Sequence, residues 1–196
     1  MSSARLTRIG EGKDRLVLFP VDPAFTISNP DHLVEVLVSS GFVGDSSQVG
    51  NNKASMQPGE HFMHHLSFVG CSPSITTDDD PDTYNRYSVE VVTSNNYLTL
   101  IVGDRIKSPV CPVCTKCTGE VLATDEITIV ANRVTWICPQ CAAVVPAGKL
   151  KWRNKLAVAK DYIQVNGVFE GEVIPGDKFL KHLASETGSE WFYCYC

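Results

Sequence analysis

Two short cysteine turns constrain this chain more than anything else in it. Cys111-Pro112-Val113-Cys114 and Cys138-Pro139-Gln140-Cys141 repeat one C-P-x-C pattern, with 23 residues between the inner cysteines. Two residues between the thiols of a tight turn let both sulfurs reach one ion, and a proline after the first cysteine stiffens that turn. The spacing between the turns is enough for strands that return the second beside the first. Glu120 to Leu122, Ile127 to Val130 and Val134 to Ile137 supply those strands, with polar turns at Thr124-Asp125-Glu126 and Asn132-Arg133. Four sulfurs brought together this way form a closed tetrahedral site, which suits zinc at a metal–sulfur distance near ~2.3 Å.

The segment resembles a zinc ribbon, a small β module built on paired C-P-x-C turns. The resemblance implies a structural zinc held by Cys111, Cys114, Cys138 and Cys141. It covers about a fifth of the chain and implies no activity. Thr115 and Ala142 stand where the family often has glycine after the second cysteine. An extra thiol, Cys117, makes Cys114-Thr115-Lys116-Cys117 an alternative pair; Cys111 is preferred because it carries the matching proline. Trp136-Ile137-Cys138-Pro139-Gln140-Cys141 also looks like a rubredoxin knuckle, so iron is the alternative metal. An iron–sulfur cluster on Cys111, Cys114 and Cys117 fits less well, because Val121 stands where a ferredoxin pattern needs Cys-Pro. A redox C-x-x-C pair is the remaining reading.

Charge divides the chain in the same place. Residues 1–103 carry a net −6, residues 104–160 a net +5 and residues 161–196 a net −4. The cysteine segment is thus a basic insert in an acidic protein, read either as local compensation for a zinc–thiolate centre of charge −2 or as a patch for an acidic partner. Lys149, Lys151, Arg153 and Lys155 surround Trp152 and are the candidate nucleic-acid or partner-binding residues. In a strand these four would share one face and Trp152 would point away into the core, which disfavours stacking on a base. A protein partner is therefore the first expectation and nucleic acid the second.

The expected fold is α+β: a mixed or antiparallel sheet, three short helices and the zinc-ribbon β module. Its division is 1–108 and 146–196 as two parts of one α+β domain, with the ribbon at 109–145. Residues 15–19 read as a first strand closed by Pro20. Asn29, Pro30 and Asp31 mark a helix start. Leu33, Val34, Leu37 and Val38 form its stripe, and Gly41 suits its end. Residues 44–57 read as a mobile polar loop. A second helix is expected from Pro58 to Gly70, with Phe62, Met63, Leu66 and Val69 inward. Tyr87–Val91 and Tyr97–Val102 read as strands joined by a hairpin turn at Ser94-Asn95-Asn96. Residues 150–165 fit neither period. Asp177 is expected to cap a third helix ending at Gly188, and Trp191–Tyr195 reads as a strand.

Other chemistry is weaker. His61 and His65 would share a helical face, and with Cys71 they mark the alternative of an enzyme site outside the ribbon. A solvated stripe is the plainer reading for these two and His64. Cys194 and Cys196 alternate in a strand and read as packing residues. Gly10-Glu11-Gly12-Lys13 is no phosphate loop, since Thr7 and Asp14 replace required residues. The acidic run Asp78–Asp82 lacks an EF-hand's glycine and glutamate. Gly59-Glu60-His61-Phe62 through Cys71-Ser72-Pro73, and Phe169-Glu170-Gly171-Glu172 through Trp191-Phe192-Tyr193, resemble a group of small uncharacterised bacterial cytosolic proteins. No apolar run spans a bilayer and the N-terminus has no secretion signal. The resulting expectation is a cytoplasmic binding or adaptor protein, with an enzyme site near His61, His65 and Cys71 or a rubredoxin-like iron electron-transfer role as the alternatives.

Overall fold

A computed structural model describes residues 15–50, 53–69, 87–93, 98–103, 106–116, 119, 122, 126–130, 133–147, 150–152 and 155–196. Strands dominate it, and all their pairings are antiparallel. The main sheet has six strands, ordered β13-β1-β11-β5-β3-β2. They are β1 (Arg15–Pro20), β2 (Val43–Gly50), β3 (Lys53–Pro58), β5 (Ser88–Thr93), β11 (Asp161–Asn166) and β13 (Trp191–Tyr195). Pro20 lies past Leu18↔Ile163, the last pair with β11, where its missing N–H interrupts nothing.

The expected α+β fold with three short helices is corrected: among the described residues there are two α-helices, α1 (Pro30–Ser39) and α2 (Asp177–Thr187). Asn29 Oδ1 accepts from the His32 N–H, and Gly41 follows the helix at φ +71°, a conformation glycine adopts without strain. At α2 the N-cap is Gly176 rather than Asp177, which is the first helical residue. The helix expected over 58–70 is instead the end of β3, a 3₁₀ turn at Phe62–His64 and β4 (Leu66–Phe68), paired with β12 (Val173–Pro175). Phe62 and Leu66 are buried as expected, but Val69 is exposed. A short apolar pattern could not separate the two periods. The tertiary contact that decides is at Gly59, whose backbone is pressed against residues 41–43; a Cβ there would lie 2.4 Å from the Gly41 carbonyl oxygen.

Two further expectations fail. Residues 44–57 are not a loop but mostly β2 and β3, with a register shift between Val43 and Ser47. β5 forms no hairpin with β6 (Thr99–Val102), because both neighbours of β5 are already taken by β11 and β3, and β6 pairs with β10 (Leu156–Ala159). The ambiguous stretch 150–165 contains β10 and β11, whose residues are buried on both faces. Such strands lose their polar alternation, which is why no period showed.

That double burial defines the layers. Leu16, Leu18, Val89, Val91, Ile163 and Val165 point from the main sheet toward Leu33, Leu37, Phe179 and Leu183 of the helices. On the opposite face Val17, Tyr162 and Cys194 meet Ile101, Ala157 and Ala159 of the β6–β10 pair. The pair's other face, Leu98, Leu100, Val102, Leu156 and Val158, packs on the cysteine module. The order is helices, sheet, strand pair, ribbon.

Candidate metal centre

The module is a three-stranded sheet, β7 (Ile127–Val130), β8 (Arg133–Ile137) and β9 (Val144–Pro146), carrying one cysteine turn at the end of β8. The other turn precedes it in the chain. Both turns close in the same way. The Cys111 N–H donates to the Lys116 carbonyl at 3.1 Å and the Thr115 N–H to the Cys111 carbonyl at 2.9 Å. The Cys138 N–H donates to Ala143 at 2.9 Å and the Ala142 N–H to Cys138 at 2.8 Å. Thr115 and Ala142 have φ of +58° and +57°, the left-handed conformation that favours glycine. The two substituted glycine positions therefore keep the backbone a glycine would adopt.

The turns bring Cys111, Cys114, Cys138 and Cys141 together, with all four sulfurs within 4.8 Å of one another. Cys111 Sγ lies 3.8 Å from Cys141 Sγ, and Cys114 Sγ lies 3.8 Å from Cys138 Sγ. A tetrahedral ion with ~2.3 Å bonds sets its sulfurs about 3.8 Å apart, which two of the six sulfur–sulfur distances match, the others lying within 4.8 Å. Cys111 and Cys138 are buried while Cys141 faces solvent. The Val113 N–H donates to Cys111 Sγ at 3.4 Å. All six described cysteines are free thiols.

Four clustered thiols cannot all ionise without a cation. The Cys114 backbone N–H does most to hold the Cys111 thiol down, to about 7, against desolvation and with help from the Val113 N–H. Cys141 is influenced most by the Ala143 N–H, which lowers it, but burial and the three neighbouring thiols push it up to about 12. A divalent ion reverses this, displacing protons as it binds.

No motif marks the side chain that anchors the sheet beneath the cysteine cluster. Glu126 accepts from Trp136 Nε1 at 2.8 Å and from Ser108 Oγ at 3.1 Å. Trp136 is fully buried beside Cys111, Cys138 and Val145. A buried tryptophan needs an acceptor for its N–H, and that rule was the available signal.

The remaining candidates do not converge. His65 is turned inward, with Nε2 2.9 Å from the Ser40 carbonyl and its ring against Phe42 and Phe179. His61 stays outside, stacked on His64 and 3.3 Å from Glu60. They share no helical face because no helix forms there. Lys155 is paired with Glu170 at 2.8 Å, Lys151 is exposed, and Trp152 donates to the Ala147 carbonyl. Of the stretch 149–155 the structure describes only 150–152 and 155, none of them in a strand. Cys71, Cys117, Lys149, Arg153, the glycines near Lys13, the acidic run at 78–82 and the turn at 94–96 lie outside the described residues.

No family model, curated protein or solved structure matches the chain. The likeness to a zinc ribbon therefore rests on the paired turns and their sulfur geometry. No described helix is long and apolar enough to cross a membrane.

Proposed function

We propose that this chain is a cytoplasmic binding or adaptor protein in which Cys111, Cys114, Cys138 and Cys141 hold a structural zinc. The single observation that carries the metal reading is the cluster of four sulfurs within 4.8 Å of one another, two pairs of them 3.8 Å apart. A set of four protein ligands leaves no open position for substrate, the mark of a structural rather than a catalytic site. The ion would fix the two turns and contribute roughly 10 kcal/mol or more to folding the module, as in small zinc domains.

Binding is the role that the module's surface supports. Val110, Val113 and Val144 are 58%, 68% and 64% exposed, and each lies on or next to a cysteine turn. Lys107, Lys116 and Lys151 are exposed in the same basic segment. Apolar tips in a basic surround favour a protein partner with an acidic rim over a nucleic acid, since Lys155 is already paired. The described residues of the alternative site, His61 and His65, diverge, so an enzymatic role there has less support.

Elemental analysis of reduced protein purified without chelator should return about one zinc per chain and a colourless solution. Cys138→Ser or chelation should abolish the Trp136 environment. Stoichiometric iron with visible absorption would replace zinc by the rubredoxin-like reading. Metal-free protein with an intact ribbon would end both.

A further inference from the structure

The four sulfurs of the cage differ in one respect that metal binding does not require. Cys111 and Cys138 are 0% and 2% exposed and Cys114 is half-buried, whereas Cys141 faces solvent. Pro139, Gln140 and Ala142 around it are exposed as well, and none of them is charged. Hydrogen bonding does not separate the thiols, since Cys111 accepts from the Val113 N–H and Cys141 from the Ala143 N–H; access does. A thiolate held by a metal is still a nucleophile, and its reaction with an outside electrophile depends on whether that electrophile reaches the sulfur. Cys111 Sγ stands 3.8 Å from Cys141 Sγ, on the other turn, so a second thiolate is in place beside the exposed one.

We infer that Cys141 is a modification site for anionic small-molecule disulfides such as glutathione disulfide, and that Cys111 resolves the adduct and opens the cage. The inference rests on the structural zinc proposed above. The Cys141 thiolate attacks one sulfur of the disulfide RSSR, forming Cys141–S–S–R and expelling one thiolate, RS⁻. The Cys111 thiolate then attacks the Cys141 sulfur, forming a Cys111–Cys141 disulfide and expelling the second RS⁻. Two cysteine thiolates are oxidised, RSSR is reduced to two thiolates, and no proton is consumed. Cys114 and Cys138 alone cannot close a four-coordinate site, so the ion leaves as the disulfide forms. Residues 138–143 carry no carboxylate to repel an anionic disulfide, and they lie in the segment 104–160 of net charge +5.

The test uses the full metal-loaded chain, with its metal content measured first. Glutathione disulfide is added, zinc release is followed with a chromophoric chelator, and quenched time points are mapped by mass spectrometry. The expected order is a glutathione adduct on Cys141, then a Cys111–Cys141 disulfide, with zinc released in step with that disulfide. Cys141→His keeps a zinc ligand in place but removes the exposed sulfur, and should slow release at least about tenfold at unchanged metal content. Cys111→His should let the Cys141 adduct accumulate unresolved. If neither variant folds, the mapping of the unsubstituted chain decides alone. In a zinc-loaded chain, no release, a first adduct on another cysteine of the cage, a disulfide joining Cys138 and Cys141, or unslowed release from Cys141→His would overturn the inference. Metal-free protein purified without chelator would overturn the zinc reading itself, and this inference with it.

Discussion

Removing a methyl group from Ala142 should tighten metal binding. Ala142 sits at φ +57°, where an L side chain costs about 1–2 kcal/mol relative to the right-handed region. Glycine escapes that cost but loses roughly 0.4–1 kcal/mol through its freer unfolded chain. The Ala142 side chain is exposed, so little packing is lost. The net gain is about 0.8 kcal/mol, close to fourfold in the metal dissociation constant where binding and folding of the turn are coupled. Thr115→Gly should act in the same direction but less, because it also loses the Oγ1 hydrogen bond to the Cys114 carbonyl. The control is Gln140→Gly in the same turn, at a residue without positive φ, which should weaken binding by about 0.5 kcal/mol. Zinc competition against a chromophoric chelator measures all three. Equal or weaker binding by Ala142→Gly, or tighter binding by Gln140→Gly, would refute the argument that these turns hold a glycine conformation without the glycine.

Three other outcomes follow from the packing and the thiols. Trp136→Phe keeps most of the ring but leaves Glu126 without its 2.8 Å donor, and should cost about 2 kcal/mol in a urea melt followed in the ribbon. Gly59→Ala forces a Cβ to within 2.4 Å of the Gly41 carbonyl oxygen and should destabilise the main domain by at least about 2 kcal/mol while leaving metal content unchanged. Zinc affinity, read by titration between pH 8 and pH 6, should fall as pH falls, because each displaced proton competes with the ion. The fall should steepen below about 7, where Cys111 also becomes protonated. In metal-free protein the lowered Cys111 thiol contributes stability that is complete above its unfolded value of 9.0 and is lost as pH falls through about 7.

The four cysteines that cluster were legible in the sequence because their chemistry is local. A C-P-x-C turn carries its own geometry, and a repeat of it calls for one shared ion. Helix signals at Asn29-Pro30 and Gly188, and the strands at 15–20, 127–130, 133–137 and 191–195, were legible for the same reason: each is set by neighbours a few residues away. What the local pattern could not carry was anything set by a distant partner. Phe62 to Val69 fits a helical stripe until β12 claims residues 66–68 and Gly59 is pressed against residue 41. β10 and β11 show no period because layers on both faces bury them. His61 and His65 read as a pair only if a helix joins them; the fold instead turns His65 inward against Phe42 and Phe179.

The sequence by itself determined the donors of the cage, because two C-P-x-C turns specify four thiols. Tertiary structure alone decided where that cage rests: on the face of the β6–β10 pair, two layers from the helices, with Trp136 tied to Glu126 beneath it. The physical reason is range. A turn is fixed by torsions within five residues, whereas a layer exists only when strands far apart in the chain bury each other's faces.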